Sequence, residues 1–212
     1  MAIIPSDPLM DTMPLPTPRL QGNLTLEAAL KKRHSTRDYL PDALTLEQVS
    51  ALLWAGFGVN RPGSWGRTAP TMGDSHEIVV YAILPEGAWC YDAREHRLVR
   101  ARTGDLRALT GTQDFVAVAP LNLVYVIDQQ RQAAGAVAAA APIDPEEHGV
   151  LAGADVGCIV ENIYLYCAGA GLATVVRSQI DRRALAQALG LKPHQRIALA
   201  QSVGFARCAT TH

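Results

Sequence analysis

Two almost continuous apolar runs, Ile78 to Leu84 and Leu121 to Ile127, constrain this chain most. Seven-residue stretches rich in Ile, Val and Tyr are too short for a core helix and read as buried strands. The first stops at the turn Pro85-Glu86-Gly87. Ile197 to Val203 gives a last strand, Ala173 to Val176 a short strand or extended linker, and Trp89 to Tyr91 with Arg97 to Val99 a short hairpin. Between these lie helical patterns. Leu24 to Lys32 places Leu26 and Leu30 on one face, and Thr45-Leu46-Glu47-Gln48 matches a capping box that opens a helix running to about Gly56-Phe57-Gly58. Val156, Ile159, Val160, Ile163 and Cys167 form a wide apolar stripe on the longest predicted helix, Gly153 to Ala168. Asp181 caps a short helix that Gly190 ends. The order is neither a regular βαβ repeat nor separate halves, and no internal repeat is seen. An α+β fold with a mixed central sheet flanked by helices is expected.

The expected organisation is a Pro-rich arm over residues 1–22 and one domain over 23–212. Pro5, Pro8, Pro14, Pro16 and Pro18 make the arm extended, either wrapping a partner subunit or fraying. It has no basic segment ahead of an apolar run, so it does not read as a signal peptide. Residues 60–75, with five Gly or Pro breakers, are expected to be a long loop. The stretch 129–149, Ala-rich and then broken by Pro142 and Pro145, is expected to be an insertion loop or a short helix.

With 19 basic and 20 acidic residues among 212, the net charge of −1 offers nothing to nucleic acid or an anionic membrane. No run approaches the roughly 20 apolar residues of a membrane span. Cys90, Cys158, Cys167 and Cys208 share no CxxC spacing and read as isolated buried thiols of a cytoplasmic protein. His96, His148 and His194 lack metal-ligand spacing and read as surface residues; Tyr164 and Tyr166 read as packing. No metal site is expected. Gly169-Ala170-Gly171 ends a helix and is no dinucleotide fingerprint.

The densest chemical signal is Arg33-His34-Ser35-Thr36-Arg37. In an extended chain Arg33, Ser35 and Arg37 share one side, where two guanidiniums and a hydroxyl suit a phosphate. Taken alone, the same residues also fit a solvated basic helix end that complements the macrodipole.

Three segments in order resemble the nitroreductase family of FMN enzymes. Arg33 to Arg37 resembles its R-x-S-x-[RK] opening. Pro70-Thr71-Met72-Gly73-Asp74-Ser75-His76 resembles its P-S-x-x-N-x-Q loop, and Gly171 to Asp181 resembles the segment that crosses the flavin after the long helix. Arg67-Thr68-Ala69-Pro70 and Trp89 to Asp92 look closest to the SagB-type dehydrogenase branch. The resemblance spans about Leu24 to Arg207 and implies a homodimer with FMN at the subunit interface. It implies that Arg33, His34 and Ser35 hold the phosphate and ribityl chain, and that Arg37 lies near flavin N1 and the C2 carbonyl. Pro70, Thr71, Met72 and Asp74 would come from the other subunit. Val176, Arg177, Ser178 and Gln179 would flank the ring, with the Ser178 N–H facing N5. Gln113 would contact the pyrimidine edge, and Arg207 would be a second phosphate cation. Asp74 departs from the family's Asn, replacing an amide donor by an acceptor. His76 replaces Gln, either as a pocket acid or as a polar wall. The sequence stops soon after the last strand, where many relatives exchange a C-terminal segment.

The implied activity is an FMN-dependent oxidoreductase. It would pass hydride in ping-pong order between NAD(P)H or another donor and a nitroaromatic or quinone-like acceptor. Three alternatives remain open: a SagB-type dehydrogenase acting on azoline rings, a non-catalytic FMN-binding or storage protein, and oxygen-dependent fragmentation of the flavin.

Overall fold

The computed structural model describes residues 11–20, 24–133 and 144–207. Among the described residues are nine strands: β1 (Thr12–Pro14), β2 (Val59–Arg61), β3 (Gly66–Arg67), β4 (Ile78–Leu84), β5 (Gly87–Asp92), β6 (Arg97–Thr103), β7 (Leu121–Asp128), β8 (Ala173–Arg177) and β9 (Gln195–Gly204). Six helices accompany them: α1 (Leu26–Lys32), α2 (Leu46–Phe57), α3 (Phe115–Val118), α4 (Gln129–Ala133), α5 (Pro145–Ala170) and α6 (Arg182–Leu189). Seven strands make one sheet in the order β1-β6-β5-β4-β7-β9-β8.

The two apolar runs became its centre. All eight residues of β7 are buried, as are the first six of β4. Both faces are covered. Ile78, Val80, Leu123 and Tyr125 pack in the cluster with Leu52 of α2 and Ile159 and Ile163 of α5. Val79, Tyr81, Val124 and Val126 pack in a second cluster with Leu185 and Leu189 of α6. A strand covered on two sides favours apolar residues on both faces, which is why its sequence does not alternate.

Every pairing in the sheet is antiparallel, a correction to the mixed sheet expected from sequence. β7 and β8, joined through α5, do run parallel to each other. But β9 returns and inserts between them, pairing antiparallel with both. Insertion of a later strand leaves no local trace in sequence.

The capping box of α2 is present, with Thr45 and Gln48 bonded reciprocally. α5 begins eight residues before the expected Gly153. Asp144 accepts from the N–H groups of Glu146 and Glu147, and Pro145 sits in the first turn, so Asp-Pro starts this helix where a break was expected. Thus 145–149 of the expected insertion is helical, 129–133 forms α4, and 134–143 lies outside the described residues. α5 is long and apolar enough by length and composition to cross a bilayer, contrary to expectation; its stripe is instead buried against the sheet. Residues 60–75 are not only loop: β2 and β3 pair, and Met72–Asp74 forms a 3-10 turn. On α1 the buried residue is Ala29, while Leu26 and Leu30 are 66% and 55% exposed. Cys90 is half-buried and Cys167 buried, but Cys158 is exposed on α5, and all three are free thiols. Cys208 lies outside the described residues.

Residues 11–20 of the arm lie on their own chain. β1 pairs with the edge strand β6, and the chain beyond it is clasped by His96. The ring is not a bland surface group. Tyr91 Oη lies 3.0 Å from its Nδ1, and Pro16 O lies 3.1 Å from its Nε2. Ser50 Oγ donates to the same Pro16 carbonyl at 2.6 Å. The neutral ring with hydrogen on Nε2 donates toward Ser50 Oγ, 2.7 Å away, and Pro16 O while accepting from Tyr91.

Burial lowers the His96 pKa below its ordinary 6.5, and the bond to Pro16 only partly opposes this. The unfolded chain therefore binds the proton more tightly. The stability from neutral His96 is present above the ordinary value and lost as pH falls through the lowered one. We expect the urea midpoint to fall between pH 7.5 and pH 5. A His96→Gln variant, less stable at pH 7.5, should show a smaller fall.

Candidate functional site

Arg33 follows the last residue of α1, with extended backbone, while its N–H still donates to Ala29 O. The chain then crosses to the sheet. Thr36 N–H donates to Thr174 O of β8 at 3.0 Å, Leu40 N–H donates to Phe205 O at 2.9 Å, and Tyr39 bridges Ala206. Between these anchors, Tyr164 of α5 reaches up. Its hydroxyl lies 2.8 Å from Ser35 Oγ and accepts the Val176 N–H at 3.0 Å. The Arg33 guanidinium lies 5.3 Å from the centre of the Tyr164 ring.

Arg33 is half-buried, and His34, Ser35 and Arg37 are exposed. His34 Nδ1 turns back to Lys32 O at 2.7 Å. Among the described residues neither Arg33 nor Arg37 is ion-paired with a carboxylate. Arg207 reaches this corner, but its guanidinium is shared with Asp38 at 3.2 Å, an exposed pair of small energetic weight. The arrangement is an open cradle with unneutralised positive charge and a hydroxyl.

The end of β8 builds a second wall. Ser178 and Gln179 are exposed. Gln113 Nε2 donates to Gln179 Oε1, and Thr112 N–H donates to Gln179 O, so two residues proposed from distant segments meet. Gln113 Oε1 is buried and has no hydrogen-bond partner among the described residues. Arg177 differs from the sequence reading. Its side chain points inward, donating to Thr110 O at 2.6 Å and to Asn122 Oδ1 at 2.9 Å. Burial lowers its pKa to about 10, and the inward direction follows from strand alternation. Only its main chain belongs to the wall.

The third segment is anchored elsewhere on α5. Asp155 accepts the Met72 N–H through both oxygens, at 3.0 and 3.2 Å. Thr71 is buried, and its Oγ1 accepts the His76 N–H at 3.3 Å. Gly73 and His76 both take positive φ, at 56° and 48°. Pro70 and Gly73 are exposed, and the Asp74 side chain lies outside the described ones. Next to this loop Glu77 and His148, both buried, meet at 2.8 Å; His148 is no surface residue. Burial raises the Asp155 pKa, the Met72 bond lowers it, Glu77 raises it and His148 lowers it. Asp155 and Tyr164 are nine residues apart, roughly 13 Å along a helix at 1.5 Å per residue. Within one chain the loop therefore stands well along α5 from the arginine cradle.

Sequence reasoning missed Tyr164, Asp155 and the Arg177 network. One signal was available: a Tyr on a buried stripe must find a partner for its hydroxyl.

An antiparallel sheet covered by helices on both faces, with basic residues where α1 meets β8, defines an α+β fold. The Nitroreductase family model matches residues 30–205, and the chain belongs to that family. It is 28% identical over 175 residues to the nitroreductase-named protein MJ1384 of Methanocaldococcus jannaschii, covering 78% of this chain and 83% of that one. A crystal structure of a nitroreductase-named protein from Ralstonia eutropha JMP134 superposes with a TM-score of 0.84 at 40% identity, covering 93% and 90%. The trifolitoxin-processing protein TfxF of Rhizobium leguminosarum bv. trifolii is 34% identical over 99 residues, 42% of this chain and 38% of that one.

Removing the Asp155 carboxylate leaves the Met72 N–H without its partner. Asp155→Ala should cost about 1–3 kcal/mol of stability, the scale of an unsatisfied buried donor. Hydrogen exchange should rise over Met72 to His76 and stay unchanged in β7.

Proposed function

We propose that the chain is an FMN-dependent oxidoreductase, taking hydride from a nicotinamide or other donor and passing it to an organic acceptor such as a quinone or nitroaromatic. The observation that carries this reading is the segment Arg33 to Arg37, where Arg33 and Ser35 meet at Tyr164, Arg37 is exposed, and neither arginine has a carboxylate partner among the described residues, in a chain of the nitroreductase family. The residues fit the cofactor. Two guanidiniums and a hydroxyl match a phosphate, and the orphaned Gln113 Oε1 offers an acceptor for a ring N–H. Bound FMN would supply two-electron hydride chemistry at one open site. Arg33 and Ser35 would hold the phosphate end. Arg37 would hold positive charge where reduction adds negative charge, an electrostatic role without proton transfer. Gln113, Val176, Ser178 and Gln179 would line the ring, His34 would lie near the phosphate, and Arg207 would add positive charge there.

The proposed assembly is a homodimer. Leu26, Leu30 and Val150 are 66%, 55% and 68% exposed, an apolar surface that a second copy would cover. Pro70, Thr71, Met72 and Asp74, set along α5 from the cradle, would then serve the partner's site, with His76 on the pocket wall. The setting is taken to be cytoplasmic.

The similarity to a trifolitoxin-processing protein favours a second reading, dehydrogenation of an azoline ring in a peptide, as in the SagB-type branch. Turnover of NADH or NADPH with a quinone favours the first reading, since the second works without a nicotinamide.

The purified protein should carry one FMN per subunit in a dimer, read from absorbance and sizing chromatography; an apo monomer that FMN leaves unchanged would overturn the proposal. Arg33→Ala should weaken FMN by about 1.5–3 kcal/mol, the scale of a charge-assisted hydrogen bond, and leave riboflavin unchanged. Arg37→Ala should lower the two-electron midpoint potential by tens of millivolts, where about 30 mV corresponds to ~1.4 kcal/mol. A dye-equilibrated titration reads this, and an unchanged potential would place Arg37 away from the ring.

A further inference from the structure

The Tyr164 hydroxyl has two neighbours, the Val176 N–H and Ser35 Oγ. An amide N–H only donates, so the phenol oxygen accepts at Val176. The contact with Ser35 is then decided by where the phenol hydrogen goes. Were Ser35 the donor, the oxygen would accept twice, and its own hydrogen would have no protein acceptor among the described residues. Tyr164 is 5% exposed, and leaving a buried donor unmade is costly. The satisfied arrangement runs one way: Val176 N–H to Tyr164 Oη, and Tyr164 O–H to Ser35 Oγ. Ser35 is exposed, and with an oxygen lone pair occupied its own hydrogen is left free to donate outward.

We infer that Tyr164 is a positioning residue that sets Ser35 as a hydrogen-bond donor toward an anionic phosphate oxygen of the ligand. This rests on the reading of Arg33 to Arg37 as a phosphate cradle. The Tyr164 ring supports it from below, since the Arg33 guanidinium lies over the same ring at 5.3 Å. One side chain thus orients both a cation and a neutral donor, and ties them to the backbone of β8. A chain of hydrogen bonds directed this way also polarises the last donor, strengthening its bond to a charged acceptor.

The test compares Tyr164→Phe, Ser35→Ala and the double variant with wild type, using FMN and riboflavin as probes in fluorescence titrations of the apoprotein. Tyr164→Phe keeps the ring under Arg33 and removes only the hydroxyl. It should bind FMN about tenfold more weakly, the scale of one hydrogen bond to a charged group. Riboflavin, without the phosphate, should change less than about twofold, well under one hydrogen bond. Ser35→Ala should reproduce the loss, and adding it to Tyr164→Phe should cost little more, because the two act through one donor. Equal weakening of FMN and riboflavin would overturn the inference, since a packing role does not distinguish them. So would unchanged FMN affinity in Tyr164→Phe, or fully additive losses in the double variant. If wild type binds neither flavin, the cradle reading itself fails; if it binds both and only the variants disagree, the fault lies with Tyr164.

Discussion

Arg177 carries a charge inside the protein, and the end of the sheet is organised around it. A buried guanidinium is costly unless its N–H groups find oxygen acceptors. Thr110 and Asn122 provide them for the two terminal nitrogens, while Nε has no partner among the described residues. Asn122 of β7 also accepts from Ser202 of β9 and donates to Val116 O of α3. One polar node therefore joins β7, β8, β9 and the turn over Arg107–Thr110. Polar networks of this type are directional, so they set one relative position for the joined elements where apolar packing alone tolerates sliding. The loop after β8, carrying Ser178 and Gln179, and the turn carrying Gln113 are consequently brought together.

α5 performs the corresponding task on the other face. Its buried stripe fixes it against β4, β7 and β9, and its few polar side chains are spent on anchoring loops. His148 holds Glu77, Asp155 holds Met72, and Tyr164 holds Ser35 and Val176. Loops have weak conformational preferences of their own, so their geometry is borrowed from the rigid element they touch. The spacing of these three anchors along one helix separates the 70–76 loop from the basic cradle. That separation is what makes a site completed by a second subunit a coherent reading.

What sequence determined by itself was local. Apolar runs without alternation gave β4 and β7, because strands covered on both faces favour apolar residues at successive positions. Thr45 with Gln48, and Asp181 with Gly190, marked helix ends through bonds reaching only a few residues. The motif order from Arg33 to Asp181 pointed to the family. Where the reading failed, distant partners were involved or a local signal had two meanings. Asp144-Pro145 both breaks a preceding segment and starts a helix, and only the burial of α5 chose the second.

The tertiary structure alone decided the rest. The insertion of β9 between β7 and β8 made the sheet antiparallel throughout, and no residue in β9 announces it. Arg177 stands in a stretch that suggested ligand contact, yet strand alternation aimed its side chain at Asn122, 55 positions away. Leu26 and Leu30 make a helix face in the sequence; only the packing of Ala29 showed that this face looks outward. Tyr164 and Ser35 are 129 positions apart, and their contact exists because α5 and the extended segment after α1 converge on β8. Propensity and periodicity act within a few residues, whereas a hydrogen bond between remote side chains needs the fold complete before either partner has a place.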